Sequence, residues 1–271
     1  MRRSQRCWLP LLLGAAWLAA APPAAARGAD GEWSERRSSH FVLLQDVAID
    51  RRGGFHGSVR FEREVLATLE DAHDRLHQYL GLRTDRPITV QIYDAGIYDA
   101  AFAGLFRFPA AGFYQGVIRV RGGERVTVAL QRVLHHELVH AAFDQLAPSL
   151  VLPAWFNEGV AEWFEARAVG KRRLSAGELN ALRRAAAAGG LFDLAVLSPP
   201  SFSAFGPEAA GLAYLQSYGM IEHLVRRHGE RELRDWVLDT VRKRRLSDAF
   251  RKTYRFALAD LPGRFASDLG S

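Results

Sequence analysis

The chain has 271 residues, 36 Lys and Arg against 30 Asp and Glu, 48% hydrophobic residues and one cysteine, Cys7. A lone cysteine excludes a disulfide framework, and its place ahead of the apolar leader described next excludes a thiol nucleophile or thiolate metal ligand from the rest of the chain. The length is enough for one large domain, or two closely packed lobes, stable on a hydrophobic core alone.

Arg2, Arg3 and Arg6 precede an apolar run of 14 residues from Trp8 to Ala21, and Pro22-Pro23-Ala24-Ala25-Ala26 then offers an A-x-A cleavage site. The run falls short of the roughly 20 residues that a bilayer span needs, so residues 1–26 read as a secretory signal peptide. Cys7 lies before that run, which argues against lipid attachment. Cleavage leaves 245 residues with a net charge of +3 and no transmembrane segment. The Ala-rich, Arg-over-Lys composition and this leader point to a bacterial exported protein, periplasmic or secreted. The basic runs Lys171-Arg172-Arg173, Arg226-Arg227 and Arg242-Lys243-Arg244-Arg245 sit beside acids at helical spacing. They read as solvated helix faces, and no nucleic-acid partner is expected.

Residues 27–38 are polar, with Gly28 and Gly31, and read as a loose lead-in. Ser39–Leu44 reads as a first strand. Val65, Leu69, Ala72, Leu76 and Tyr79 recur at threes and fours, predicting a helix over Val59–Leu80 that Gly81 stops. Pro87–Tyr93 alternates at period two and predicts a second strand with Ile88, Val90 and Ile92 on one face. His73 and His77 are four apart but lack a downstream carboxylate pattern, so they read as helix-face residues. Asp94–Pro109 has no clean period. Gly112–Gly116 reads as a turn and Val117–Arg121 as a strand ending at Gly122-Gly123. A free edge on that strand is either an ordinary sheet edge or a place for an extended peptide to pair.

The predicted helix Val126–Leu146 carries His136-Glu137-Leu138-Val139-His140. Spacing of four sets both imidazoles on one face, close enough to grip one ion, with Glu137 within reach of a water on it. The helix is apolar around most of its circumference and therefore buried. Three polar groups there need a partner, and a metal is the most economical one. A catalytic zinc takes three protein ligands and keeps one open position, so a third ligand must come from elsewhere. The next predicted helix, from Ala154 to about Val169, offers Glu158 and Glu162, one turn apart. Asp144 is displaced along the first helix, and Glu165 is expected to point elsewhere.

His136-Glu137-Leu138-Val139-His140 followed by Trp155-Phe156-Asn157-Glu158-Gly159-Val160-Ala161-Glu162 resembles the gluzincin metallopeptidases, most of all the peptidase MA-like domains of bacteria. The aminopeptidase N and thermolysin families are more distant relatives. The resemblance implies one Zn²⁺ held by His136, His140 and Glu158, with Glu162 then holding a ligand imidazole in its tautomer. The spacing from His140 to Glu158 is one residue shorter than in the aminopeptidases, a difference that falls in the Pro-bounded connection. Tyr214–Val225, running to Gly229, is similar to the gluzincin helix that begins with a transition-state-stabilising tyrosine. That implies Tyr214, with Tyr218 and then His223 as alternates. No glycine-rich exopeptidase motif precedes the metal helix, which points to an endopeptidase.

Ser175–Ala188 predicts a helix with a Ser-x-x-Glu capping box (Ser175, Glu178), ended by Gly189-Gly190. Leu191–Pro207 reads as a loop bordering the cleft, and further helices are predicted at Ala209–His228, Glu230–Arg242, Leu246–Tyr254 and Leu261–Leu269. The expected fold is α+β: a small mixed β-sheet lobe with a helix, the metal-binding helix (together residues 39–146), then a mainly helical lobe over 147–271. The expected function is a zinc metallopeptidase, with Glu137 as general base toward a metal-activated water and a peptide or protein as substrate. The alternatives are a non-catalytic envelope binding or assembly protein that keeps the scaffold, and a zinc hydrolase of non-peptide amides.

Overall fold

The computed structural model describes residues 33–47, 57–105, 107 and 110–270; the leader read at 1–26 lies outside them. Three alternating runs form the centre of a mixed sheet: β2 (Phe41–Asp46), β3 (Ile88–Tyr93) and β5 (Ile118–Arg121). Alternation turns Phe41, Leu43, Ile88, Val90, Ile92, Ile118 and Val120 inward, none more than 3% exposed. β2, β3 and β5 run parallel, and the sheet order is β1-β2-β3-β5-β4. Parallel β2 and β3 require a crossover, which α1 (Gly57–Leu80) supplies by burying Val65, Leu69, Ala72 and Leu76. On α1, His73 is buried against Thr84 and stacked on His40, while His77 is exposed, so the two do not act as a pair.

The antiparallel edges depart from the sequence reading. Ser34–Arg37, expected within a loose lead-in, forms β1 against β2. Its charged residues mask the signal, since only one face of so short an edge strand needs to be covered. Gly112–Tyr114, expected within a turn, forms β4 against β5, and the reversal is confined to the residues around Gly116. The strand expected to offer a free edge is therefore interior, and the edge belongs to β4. The stretch without a period contains a short helix, α2 (Ala95–Ala101), capped by the Asp94 side chain on the Gly96 N–H.

The rest is helical, giving an α+β fold: α3 (Val128–Leu146), α4 (Ala154–Ala168), α5 (Ala176–Ala187), α6 (Pro207–His228), α7 (Glu230–Lys243), α8 (Leu246–Tyr254) and α9 (Leu261–Gly270). Thr127 caps α3, and Ser175 with Glu178 closes the expected capping box on α5. One buried cluster runs from Phe41 on β2 to Leu269 on α9. Among the described residues no helix is long and apolar enough to cross a membrane. α3 and α4 are apolar on nearly every face because each is enclosed: α3 lies under β4 and β5, and α4 lies between α3 and α6.

Gly159 sets the distance between α4 and α6. A Cβ there would lie 2.7 Å from the Ser217 carbonyl oxygen, a backbone atom that cannot swing aside. Alanine would gain about 1 kcal/mol of helix propensity. Overpacking a closed helix contact costs about 1–3 kcal/mol and is expected to outweigh that gain. Denaturant unfolding of Gly159→Ala should therefore show a lower midpoint than wild type. Gly177→Ala, at an exposed helical position with open space around it, should be neutral or more stable by up to about 1 kcal/mol.

Candidate metal centre

The four-residue spacing on α3 sets the His136 and His140 rings 4.9 Å apart between centroids. Across from them, α4 brings in Glu158, whose Oε2 lies 3.2 Å from His136 Nε2 and 3.5 Å from His140 Nε2. Ligand atoms bound about 2.0–2.1 Å from a tetrahedral zinc lie about 3.4 Å from one another, and both separations from Glu158 Oε2 are close to that, with all three atoms within 4.8 Å of one another. Two imidazoles and a carboxylate also form a donor set that zinc accepts. His136, His140 and Glu158 could thus hold one ion.

Each imidazole is oriented from behind. His140 Nδ1 is 3.0 Å from Asn157 Oδ1 and donates to it, which leaves Nε2 as the ring nitrogen that faces Glu158. His136 Nδ1 faces Glu165 Oε2 at 3.4 Å, and Arg132 in turn binds Glu165, its Nε 3.0 Å from Oε1. Two expectations change here. Glu165 points at the site rather than elsewhere, and it takes the place behind His136 that had been expected of Glu162. Glu165 follows Glu158 by seven residues, two turns of α4, and so shares its face. Glu162 has no hydrogen bond or ion pair among the described residues, although one of its carboxylate oxygens lies within 4.8 Å of both His136 and Glu165.

The charges shape one another. Burial opposes the His136 imidazolium, but hydrogen bonds to Glu158 and Glu165 raise its pKa well above the ordinary value. Burial likewise opposes His140, and the Glu158 charge raises it. Burial would raise the Glu158 pKa, but the two imidazoles overcome it and hold the carboxyl far below the carboxylate range. Glu162 is raised, by burial first and then by Glu165.

Glu137 is 6% exposed, and its pKa is raised chiefly by burial. It lines a cleft of about 640 Å³ with His136, His140 and Glu158. Tyr214, from the second turn of α6, stands on the wall of this cleft. Burial first, then the charges of Glu158, Glu137 and Glu162, push its hydroxyl pKa far above the phenolic range, so it remains a donor. The alternates lie elsewhere: Tyr218 carries Lys171 over its ring, and His223 is bonded to Asp268 at 2.8 Å. β4 and Gln115 form one rim, and Pro200, Ser201 and Ser203 form part of the other, as expected of the 191–207 loop. Asn157 and Arg132 were assigned no role in the sequence. Asn157 immediately precedes Glu158, and Arg132 lies one turn before His136, so both sit at spacings where a supporting partner belongs.

A sequence profile of the peptidase MA superfamily matches residues 68–269, most of the chain and all of this centre. No curated protein matches the chain.

Removing the partner behind a ligand imidazole typically weakens metal binding about 10- to 100-fold. Asn157→Ala, measured by competition with a zinc chelator, is expected to fall in that range while its unfolding midpoint stays near wild type. Unchanged zinc affinity would mean that Asn157 does not orient His140.

Proposed function

The chain belongs to the peptidase MA superfamily, a grouping of peptidases, and on that premise we propose that it is a zinc metallopeptidase, an endopeptidase of the gluzincin type acting on peptides or proteins. The observation that carries the proposal is the convergence of His136 Nε2 and His140 Nε2 on Glu158 Oε2, at 3.2 and 3.5 Å, with buried Glu137 alongside. A zinc ion held there supplies a Lewis acid that polarises a carbonyl and lowers the pKa of a water molecule.

The chain's own groups do the rest. Glu137 accepts a proton from the attacking water on a carboxylate oxygen and returns it to the leaving amine. Its burial makes the carboxylate a better base than one in bulk water. Tyr214 donates its hydroxyl proton in a hydrogen bond to the developing oxyanion. Asn157 and Glu165 hold the two imidazoles in the tautomer that presents Nε2. β4 runs along the cleft with no strand on its outer edge among the described residues, so an extended peptide can add to the sheet through main-chain hydrogen bonds. The leader read at residues 1–26 makes this, in our proposal, an exported enzyme of the bacterial periplasm or exterior.

Glu137→Gln should bind one zinc and lose peptide cleavage by at least about 100-fold, the scale of a lost general base. Glu158→Ala should lose the zinc, and Glu162→Gln should keep it. Tyr214→Phe should lower kcat about 10- to 100-fold with KM nearly unchanged, because its hydrogen bond forms to the oxyanion. Wild-type protein that holds zinc but cleaves no peptide would favour the scaffold reading, and cleavage of cell-wall amides alone would favour the amide hydrolase.

A further inference from the structure

Beside the main cleft, and sharing His136, Glu137 and Tyr214 with it, lies a smaller recess of about 320 Å³. Its walls are apolar and small: Val133 from α3, Ala110 and Gly112 at β4, and Pro207 and Ala210 at the start of α6. Two carboxylates, Glu162 and Glu165, come from α4. They are not equivalent. Glu165 is already held by Arg132 and faces His136 Nδ1, whereas Glu162 makes no hydrogen bond or ion pair among the described residues. Burial first and then Glu165 oppose its charge, which His136 and Arg132 support only in part, so a cation entering the recess would find a carboxylate with no hydrogen bond or ion pair of its own among the described residues.

We propose that Glu162 makes this recess a receptor for one cationic side chain, so that the peptides preferred are those with Lys or Arg beside the bond presented to Glu137. This rests on the zinc-peptidase reading for its register, though not for the recess itself. The walls suit the methylene stem of Lys or Arg, and the carboxylate suits its head, the usual division of labour in burying a long cationic residue. A second metal ion fits less well. Glu165 is committed to Arg132, which leaves Glu162 as the one uncommitted donor where a divalent ion needs several.

Binding tests this without turnover. The zinc-loaded Glu137→Gln protein would be titrated by calorimetry with N-acetylated, C-amidated alanine pentapeptides carrying a central Arg, citrulline, Lys or norleucine. Arg and Lys peptides should bind at least about tenfold more tightly than their neutral counterparts, as expected for a partly buried charge pair. Adding Glu162→Gln should abolish that preference while leaving norleucine affinity and zinc content unchanged. Equal affinities, or a preference that survives Glu162→Gln, would overturn the proposal. So would a second equivalent of zinc that disappears with Glu162→Gln. Cation preference in a wild-type protein that cleaves nothing would sink the peptidase reading and keep the receptor; cleavage indifferent to Lys and Arg would do the reverse.

Discussion

The packing of the helices around the centre answers to the meeting of two imidazoles and a carboxylate, the carboxylate oxygen 3.2 and 3.5 Å from the two ring nitrogens, at the largely buried floor of the cleft. Charge moved into such a place without a partner costs several kcal/mol. The arrangement therefore persists only if the partners cannot drift apart, and the fold provides that by enclosing α3 and α4. Gly159, next to Glu158, brings α4 against the backbone of α6, so the residue that follows Glu158 also fixes the depth at which its carboxylate sits. Packing and site chemistry are the same constraint at this point in the chain.

The same close approach recurs on the other side of the metal helix. A Cβ on Gly112 would lie 2.5 Å from Val133 Cγ1 and 3.4 Å from Glu137 Cγ. β4 thus rides directly on the helix that carries Glu137, and under the proposed function an extended peptide added to β4 would run past that carboxylate. The sheet, small as it is, acts as a rail along the centre rather than as a separate support. This explains why β4 need be only three residues long: its register comes from antiparallel pairing with β5, and its height from the glycine contact.

The α+β architecture and the pairing of His136 with His140 are legible because they depend on local periodicity. The 3.6-residue turn alone pairs His136 with His140, and the period-two runs at Ile88–Tyr93 and Ile118–Arg121 announce buried strands. Choosing Glu158 over Glu162 needed resemblance, since both sit one turn apart on the same helix and spacing cannot separate them. What stayed hidden depends on how one element is rotated against another. Whether Glu162 or Glu165 meets His136 Nδ1 is decided by the roll of α4 against α3, and no single-helix pattern encodes that angle. Gly112–Tyr114 was read as a turn because its glycine signals one, whereas the glycine serves close packing. Ser34–Arg37 was read as loose because an edge strand need bury little.

The two ligand imidazoles are supported unequally, and the difference bears on the charge of the site. His140 leans on a neutral amide, Asn157, while His136 leans on a carboxylate that Arg132 neutralises. A carboxylate behind a ligand makes it more basic, so His136 is the stronger donor of the pair. With a divalent ion in place, the charges of Glu158 and Glu137 balance the ion, and Glu165 balances Arg132. Glu162, whose charge burial and Glu165 oppose and His136 and Arg132 support only in part, is then the carboxylate in the centre with no hydrogen bond or ion pair of its own among the described residues. A neutral substrate would leave that carboxylate without a cation, whereas a cationic residue entering the recess would favour its charged form. The unequal supports and the unpartnered carboxylate are therefore two sides of one arrangement: giving Glu165 to His136 and Arg132 leaves Glu162 facing the substrate.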